Sequence, residues 1–277
     1  MTTTMSPARR FPRGSEWRRW DLHVHTPESV LNNQFGDDWD TYVYRLFKAA
    51  IAHKISVIGI TDYFSIEGYK KLNVEYLGQP ERLKVMFCDE LRADPNYLEK
   101  IGSILVLPNI EFRIDKFVQT KSEEGLSRLT MHVIFSDDVS IHDIEQNFLG
   151  NLKFSFRGVP QSKNEKRSLN IVNLEELGAR LRGEQASFQK KSNLFVGCMT
   201  ATVDDDEISD ALCAAPSLFG NRHVLVLAEE YLSQVAWGGS GHQARKVLYQ
   251  KCDVVFSSNE KTIALLASPS FAKSVSQ

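Results

Sequence analysis

Two histidines two residues apart, in Asp21-Leu22-His23-Val24-His25-Thr26-Pro27, start the chemistry this chain could do. On a strand that spacing projects both imidazoles from one face. Each neutral ring offers a nitrogen to a borderline cation, which would begin a metal site. Taken alone, the spacing fits a pair of partly buried histidines equally well, one of them bonded to Asp21. Further donors follow at the ends of apolar runs. Asp62 closes Ile55 to Thr61, Glu111 and Arg113 follow Ser103 to Ile110, and His132 lies inside Leu129 to Phe135. His23, His25, Glu111 and His132 make a mixed nitrogen and carboxylate set that suits one or two ions of Zn, Mn or Fe, without choosing among them. A bridging Glu111 could hold two ions and an attacking water against a phosphoryl group. Arg113 could then stabilise developing phosphoryl charge, or simply pair with Glu111. Asp62 stands beside this set as a candidate catalytic carboxylate.

Other schemes have less behind them. The chain has no G-x-G-x-x-G and no Walker A string, and it lacks the nucleophile elbow of serine hydrolases. Gly238-Gly239-Ser240-Gly241 fits a glycine turn opening a helix. It could also nest an anion, with His242 and Arg245 beside it, and His242 is carried as a third catalytic candidate. His53 reads as structural, and His142 and His223 as surface and strand-start residues without partners.

The elements that must position these groups follow from periodicity. Trp39, Tyr42, Val43, Leu46, Phe47 and Ala50 recur at helical spacing up to His53. A helix is expected from Ile66, and others at Leu169–Leu181, Asp204–Ala215, Gly241–Gln250 and Glu260–Leu266. Seven strand-like runs alternate with them: Asp21–Pro27, Ile55–Thr61, Ser103–Ile110, Leu129–Phe135, Leu194–Thr200, His223–Ala228 and Val254–Ser257. Asp115 to Arg128 reads as an exposed loop or hairpin tip. Strands alternating with helices predict an α/β fold with parallel strands and crossovers, as a closed barrel or an open sheet. His23/His25, Asp62, Glu111/Arg113, Asp204/Asp205 and Glu229/Glu230 all fall at or just past strand ends, the edge where such folds assemble active sites.

With 277 residues, 42% hydrophobic and 25% charged, the chain can bury a sizeable core. A net charge of −2 gives no global signal for nucleic acid. Between Asn151 and Lys191, nine Lys/Arg stand against four Asp/Glu. This basic insertion is either a solvated face or a contact surface for DNA or RNA phosphates. Cys88, Cys198, Cys213 and Cys252 are scattered, and they read as buried thiols in a reducing cytoplasm. Residues 1–16 read as a flexible tail and 17–277 as one domain, with no run long enough to span a membrane.

The order Asp21-Leu22-His23-Val24-His25-Thr26-Pro27, Ile58-Gly59-Ile60-Thr61-Asp62, Glu111, His132 resembles the polymerase-and-histidinol-phosphatase (PHP) superfamily, from about Trp17 to Phe135. Trp20 to Tyr69 is similar to the PHP-like region that precedes SMC- or AAA-type ATPases in large bacterial proteins, some associated with antiphage defence. The resemblance implies a distorted seven-stranded β/α (TIM-like) barrel and hydrolysis of phosphoesters with up to three metal ions. It implies His23 and His25 as the first ligand pair, Glu111 as the bridging carboxylate and His132 as a ligand of the second ion. It also implies an attached or partner ATPase; nucleic acid as the substrate is suggested by the His23/His25/Glu111/His132 set together with the basic 151–191 stretch. The departures are specific. Tyr63 and Leu31 stand where the family has histidines, Ser258-Asn259-Glu260 replaces its closing Asp-x-His, and Cys198-Met199-Thr200 replaces a ligand on the fifth strand. A third metal site is not expected, and a degenerate barrel serving as a binding or regulatory module is the alternative.

Overall fold

The computed structural model describes residues 17–32, 34–119, 126–156, 165–228, 241–269 and 271. The chain divides into two compact units, Met1–Asp62 with Ile66–Asn109, and Tyr63–Ser65 with Ile110–Gln277.

In the first unit β1 (Arg19–His25) runs parallel to the strand that follows α1 (Trp39–Ala52), namely β2 (Ile55–Tyr63). Val24 lies opposite Ile60 and His25 opposite Thr61, whereas Asp21 lies opposite Ile58. Three steps along β1 therefore face two along β2, which makes a bulge at Leu22–His23. Gly59 permits it, because a Cβ there would stand 2.4 Å from the Leu22 carbonyl oxygen. Asp38 caps α1 by accepting from the Thr41 N–H at 3.0 Å. The buried face of α1 is Trp39, Tyr42, Val43, Phe47 and Ala50, as the helical spacing predicts. The stretch after Ile66 becomes α2 (Glu67–Lys71), which continues as a π-helical turn, then α3 (Pro80–Met86), α4 (Cys88–Ala93) and α5 (Tyr97–Gly102). The strand order is β1-β2-β3, where β3 is Leu105–Gln119.

In the second unit β3 continues well past the predicted end at Ile110, and β4 is Leu126–Phe135. The stretch 115–128, expected as an exposed loop or hairpin tip, is strand over 115–119 and 126–128, with 120–125 outside the described residues. The chain then passes through α6 (Ile141–Asp143), β5 (Lys153–Phe156), β6 (Glu165–Ser168), α7 (Ile171–Glu184), α8 (Asn193–Thr200), α9 (Asp205–Ala214) and α10 (Pro216–Phe219). It closes with β7 (His223–Ala228), α11 (Gly241–Lys251), β8 (Val254–Phe256) and α12 (Glu260–Leu266). The strand order here is β3-β4-β7-β8, while β5 and β6 pair in a two-stranded sheet.

Further sequence expectations are corrected, the burial of the cysteines among them, since Cys88 and Cys213 are exposed. Leu194–Thr200, predicted as a strand, is the helix α8, begun by the Ser192 hydroxyl accepting from the Phe195 N–H at 3.1 Å. A short apolar run fits a buried helix as well as a buried strand, and the serine cap decides. β4 and β7 are antiparallel, with His132 opposite Val226, so the strands are not all parallel. Among the described residues the main sheet has six strands rather than seven, within a mixed α/β architecture. No described helix is long and apolar enough to cross a membrane.

Candidate functional site

In the first unit, the β1 bulge brings His23 Nε2 and His25 Nε2 to 3.2 Å from each other. His25 is held from behind. Its Nδ1 lies 2.8 Å from Ser29 Oγ and 3.2 Å from the Thr61 carbonyl oxygen. A carbonyl only accepts, so the Thr61 contact calls for the proton on Nδ1, which leaves the Nε2 lone pair facing His23. An imidazole oriented through its second nitrogen is the arrangement of a metal-ligating histidine. The Tyr42 hydroxyl donates to the His25 carbonyl at 3.0 Å, and burial raises the Tyr42 phenol above its ordinary range.

Beneath the pair, the fully buried Asn109 donates both amide hydrogens, to the Leu22 carbonyl at 2.7 Å and to Thr61 Oγ1 at 2.9 Å. It therefore ties the bulged strand to β2 at the residue before His23. Asp62 is also buried, and it accepts from Thr26 Oγ1 at 2.9 Å and from the Gly68 N–H at 2.7 Å. Burial pushes its carboxyl up to about 6, against the lowering effect of those two hydrogen bonds. A Cβ on Gly68 would stand 2.2 Å from Thr26 Oγ1, so glycine is required for this cradle.

In the second unit, Glu111 and His132 are both buried, and a carboxylate oxygen of one lies within 4.8 Å of a ring nitrogen of the other. His132 sits on β4 with its ring 5.6 Å from that of Phe256. The Tyr63 hydroxyl hydrogen-bonds Glu111; burial, reinforced by the Glu111 charge, pushes the phenol up to about 12. Phe64, held at φ 58°, donates its N–H to the Glu111 carbonyl at 3.2 Å. Arg113 is half-buried, and its Nε has no hydrogen-bond partner among the described residues. The donor types in both units suit a divalent metal.

Asp204 and Asp205, considered above as strand-end carboxylates, belong instead to the start of α9. Asp204 caps the helix, its Oδ1 accepting from the Asp206 N–H at 3.0 Å. The fully buried Asp205 pairs with Lys116 and, at 2.6 Å, with Lys251. The same two lysines also reach Asp206, so two ammonium groups answer these two carboxylates. Asn259, where the sequence resemblance led to an expected Asp-x-His, caps α12 by accepting from the Lys261 and Thr262 N–H groups.

Within 151–191, Arg167 pairs with Glu165 and Glu176, Arg180 with Glu184, and Lys166 with Glu207. Arg182 donates to Asn193 Oδ1 at 2.5 Å and to the Gln189 carbonyl at 2.9 Å. Arg157 and Lys163 lie outside the described residues, as do Glu229, Glu230 and Gly238 to Ser240. His242 falls in the first turn of α11, and its side chain lies outside the description. Sequence reasoning missed Asn109 and the Tyr63–Glu111 bond. The signal for Asn109 was an amide in the middle of an otherwise apolar strand.

No model of a known protein family matches the chain, and no curated protein sequence matches it. Among solved structures it is similar to a candidate metal-dependent phosphoesterase from Bifidobacterium adolescentis, at 12% identity and a TM-score of 0.35. The match covers 87% of this chain and 77% of that one, and a TM-score at this level does not establish a shared fold.

Proposed function

We propose that this chain is a metal-dependent phosphoesterase that acts on nucleic acid, with His23, His25, Glu111 and His132 holding one or two ions of Mn, Zn or Fe. The observation that carries the reading is the histidine pair. Its Nε2 atoms lie 3.2 Å apart, and His25 is oriented by Ser29 and Thr61 through its other nitrogen. When bound, such an ion supplies Lewis-acid polarisation of a phosphoryl oxygen. Arg113 offers a cation to the charge that develops there, and Asn109 keeps the strand bearing the histidines in register. An SMC- or AAA-type ATPase, in an antiphage setting, is the partner this reading carries from the sequence resemblance. Metal analysis of the purified protein, joined to hydrolysis assays on DNA, RNA and phosphomonoesters, tests it. Bound metal and turnover are expected, and both should fall at least tenfold in His23→Ala/His25→Ala. Turnover unchanged in that variant would sink the proposal.

One set of observations favours a second reading, a binding module without turnover. Tyr63 takes a histidine's place and bonds Glu111, a helix stands at the predicted fifth strand, and Asp205 is neutralised by lysines. That reading predicts little bound metal and no hydrolysis in the same assays.

A further inference from the structure

We propose that the first unit binds single-stranded nucleic acid on a surface at the start of β1, apart from the histidine pair. A cavity of about 920 Å³ opens there, lined by Trp17, Arg18, Arg19, His53, Lys54 and Lys100 around the end of α1 and the start of β2. No carboxylate lines it among the described residues. Two arginines, two lysines and a histidine thus face one opening in a chain whose net charge is −2. Trp17 is 101% exposed, so its indole presents a π-face to solvent and not to the core. Arg19 Nη1 donates to the His53 carbonyl at 3.4 Å, which fixes the guanidinium at the rim, and Lys100 also reaches Asp94 at 2.7 Å.

Lys54 adds a separate observation. It follows α1 at φ 56°, the left-handed conformation that glycine adopts without strain. Its N–H donates to the Ile51 carbonyl at 3.2 Å, a backbone bond that glycine would make equally well. The lysine side chain is therefore dispensable to the turn, and it lines the cavity.

An exposed aromatic ring beside a run of cations matches the two needs of single-stranded nucleic acid, a stacking platform for a base and neutralisation of phosphates. A free phosphate would use the cations and not the indole, and a duplex keeps its bases stacked inside. His25 lies six residues along β1 from Arg19, roughly 20 Å away at strand rise. The surface is thus distinct from the candidate metal ligands, and binding there requires no metal.

The test is fluorescence anisotropy of a labelled oligothymidylate of about 15 nucleotides, titrated with the full chain in EDTA over a range of salt. The logarithm of the affinity is expected to fall linearly with the logarithm of the salt concentration. Trp17→Ala should weaken binding about tenfold through lost stacking. Lys54→Gly with Lys100→Ala should flatten the salt slope by about 1.4, while Lys54→Gly alone leaves the thermal midpoint equal or higher. Variants that bind as the parent chain does would overturn the proposal. So would Trp17→Ala binding unchanged while the lysine changes abolish it, since that is a general polyanion surface. Because EDTA removes any metal, neither outcome depends on the phosphoesterase reading.

Discussion

Burial holds the Asp62 carboxyl at about 6, well above its ordinary 3.8, although Thr26 and Gly68 both donate to it. A group whose folded value is raised binds more protons folded than unfolded between those two values. Its ionisation therefore costs stability as pH rises from about 4 through about 6, and the loss is complete above that. The difference corresponds to on the order of 2–3 kcal/mol. In Asp62→Asn, the amide can accept from Gly68 and donate to Thr26 Oγ1, so the variant is expected to fold. Urea unfolding in EDTA at pH 4.5 and 7.5 should show the parent chain losing stability towards pH 7.5 relative to Asp62→Asn. Parallel pH profiles would show that Asp62 ionises freely. Asn109 gives the complementary case. Asn109→Ala removes both donors from a buried site and should cost about 2–3 kcal/mol. If the β1 bulge aims the histidines, the same change also lowers metal affinity about tenfold or more in calorimetric titration.

Helices α7 and α8 pack backbone against backbone. A Cβ on Gly178 would stand 1.8 Å from the Asn193 carbonyl oxygen, and one on Gly197 would stand 2.0 Å from that of Leu174. No rotamer relieves a clash with a carbonyl, so the helices must separate. Gly178→Ala or Gly197→Ala should each cost on the order of 2–4 kcal/mol. Gly183 lies on the same helix with nothing within 4 Å of its would-be Cβ. Gly183→Ala should be neutral or stabilising by about 0.5–1 kcal/mol. Chemical denaturation of the three variants separates packing from helix propensity. The same pair explains why Leu194 to Thr200 reads wrongly as a strand. The run is apolar because glycines bring it against another helix, and apolar periodicity alone cannot tell the two buried environments apart.

For the whole chain, a metal that binds the folded state and not the unfolded one raises the thermal midpoint by mass action. At a hundred times its Kd this is about 2.7 kcal/mol, or roughly 5 °C or more for a chain of this size. Calorimetry with added Mn²⁺ or Zn²⁺ should show that rise, with EDTA reversing it. His23→Ala/His25→Ala should show none, and a rise surviving in that variant would place the metal elsewhere. What the sequence determined by itself was local. The His23–His25 spacing put two rings on one strand, the face of α1 followed from its spacing, and the apolar runs at 55–61, 129–135, 223–228 and 254–257 became strands because a short β-branched run is best buried in a sheet. Tertiary structure decided which polar groups meet. Asp204 and Asp205 look like strand-end ligands until the fold makes Asp204 a helix cap and sets Lys116 and Lys251, distant in sequence, against Asp205. Of the basic residues in 151–191, Lys166, Arg167 and Arg180 are paired with Glu207, Glu165, Glu176 and Glu184. Asn109 gains its role only where β1 bulges past Gly59 and leaves the Leu22 carbonyl to be met. Periodicity records which face of an element is buried, but a partner brought in from elsewhere in the chain leaves no periodic trace, so only the folded chain shows which charges are already answered.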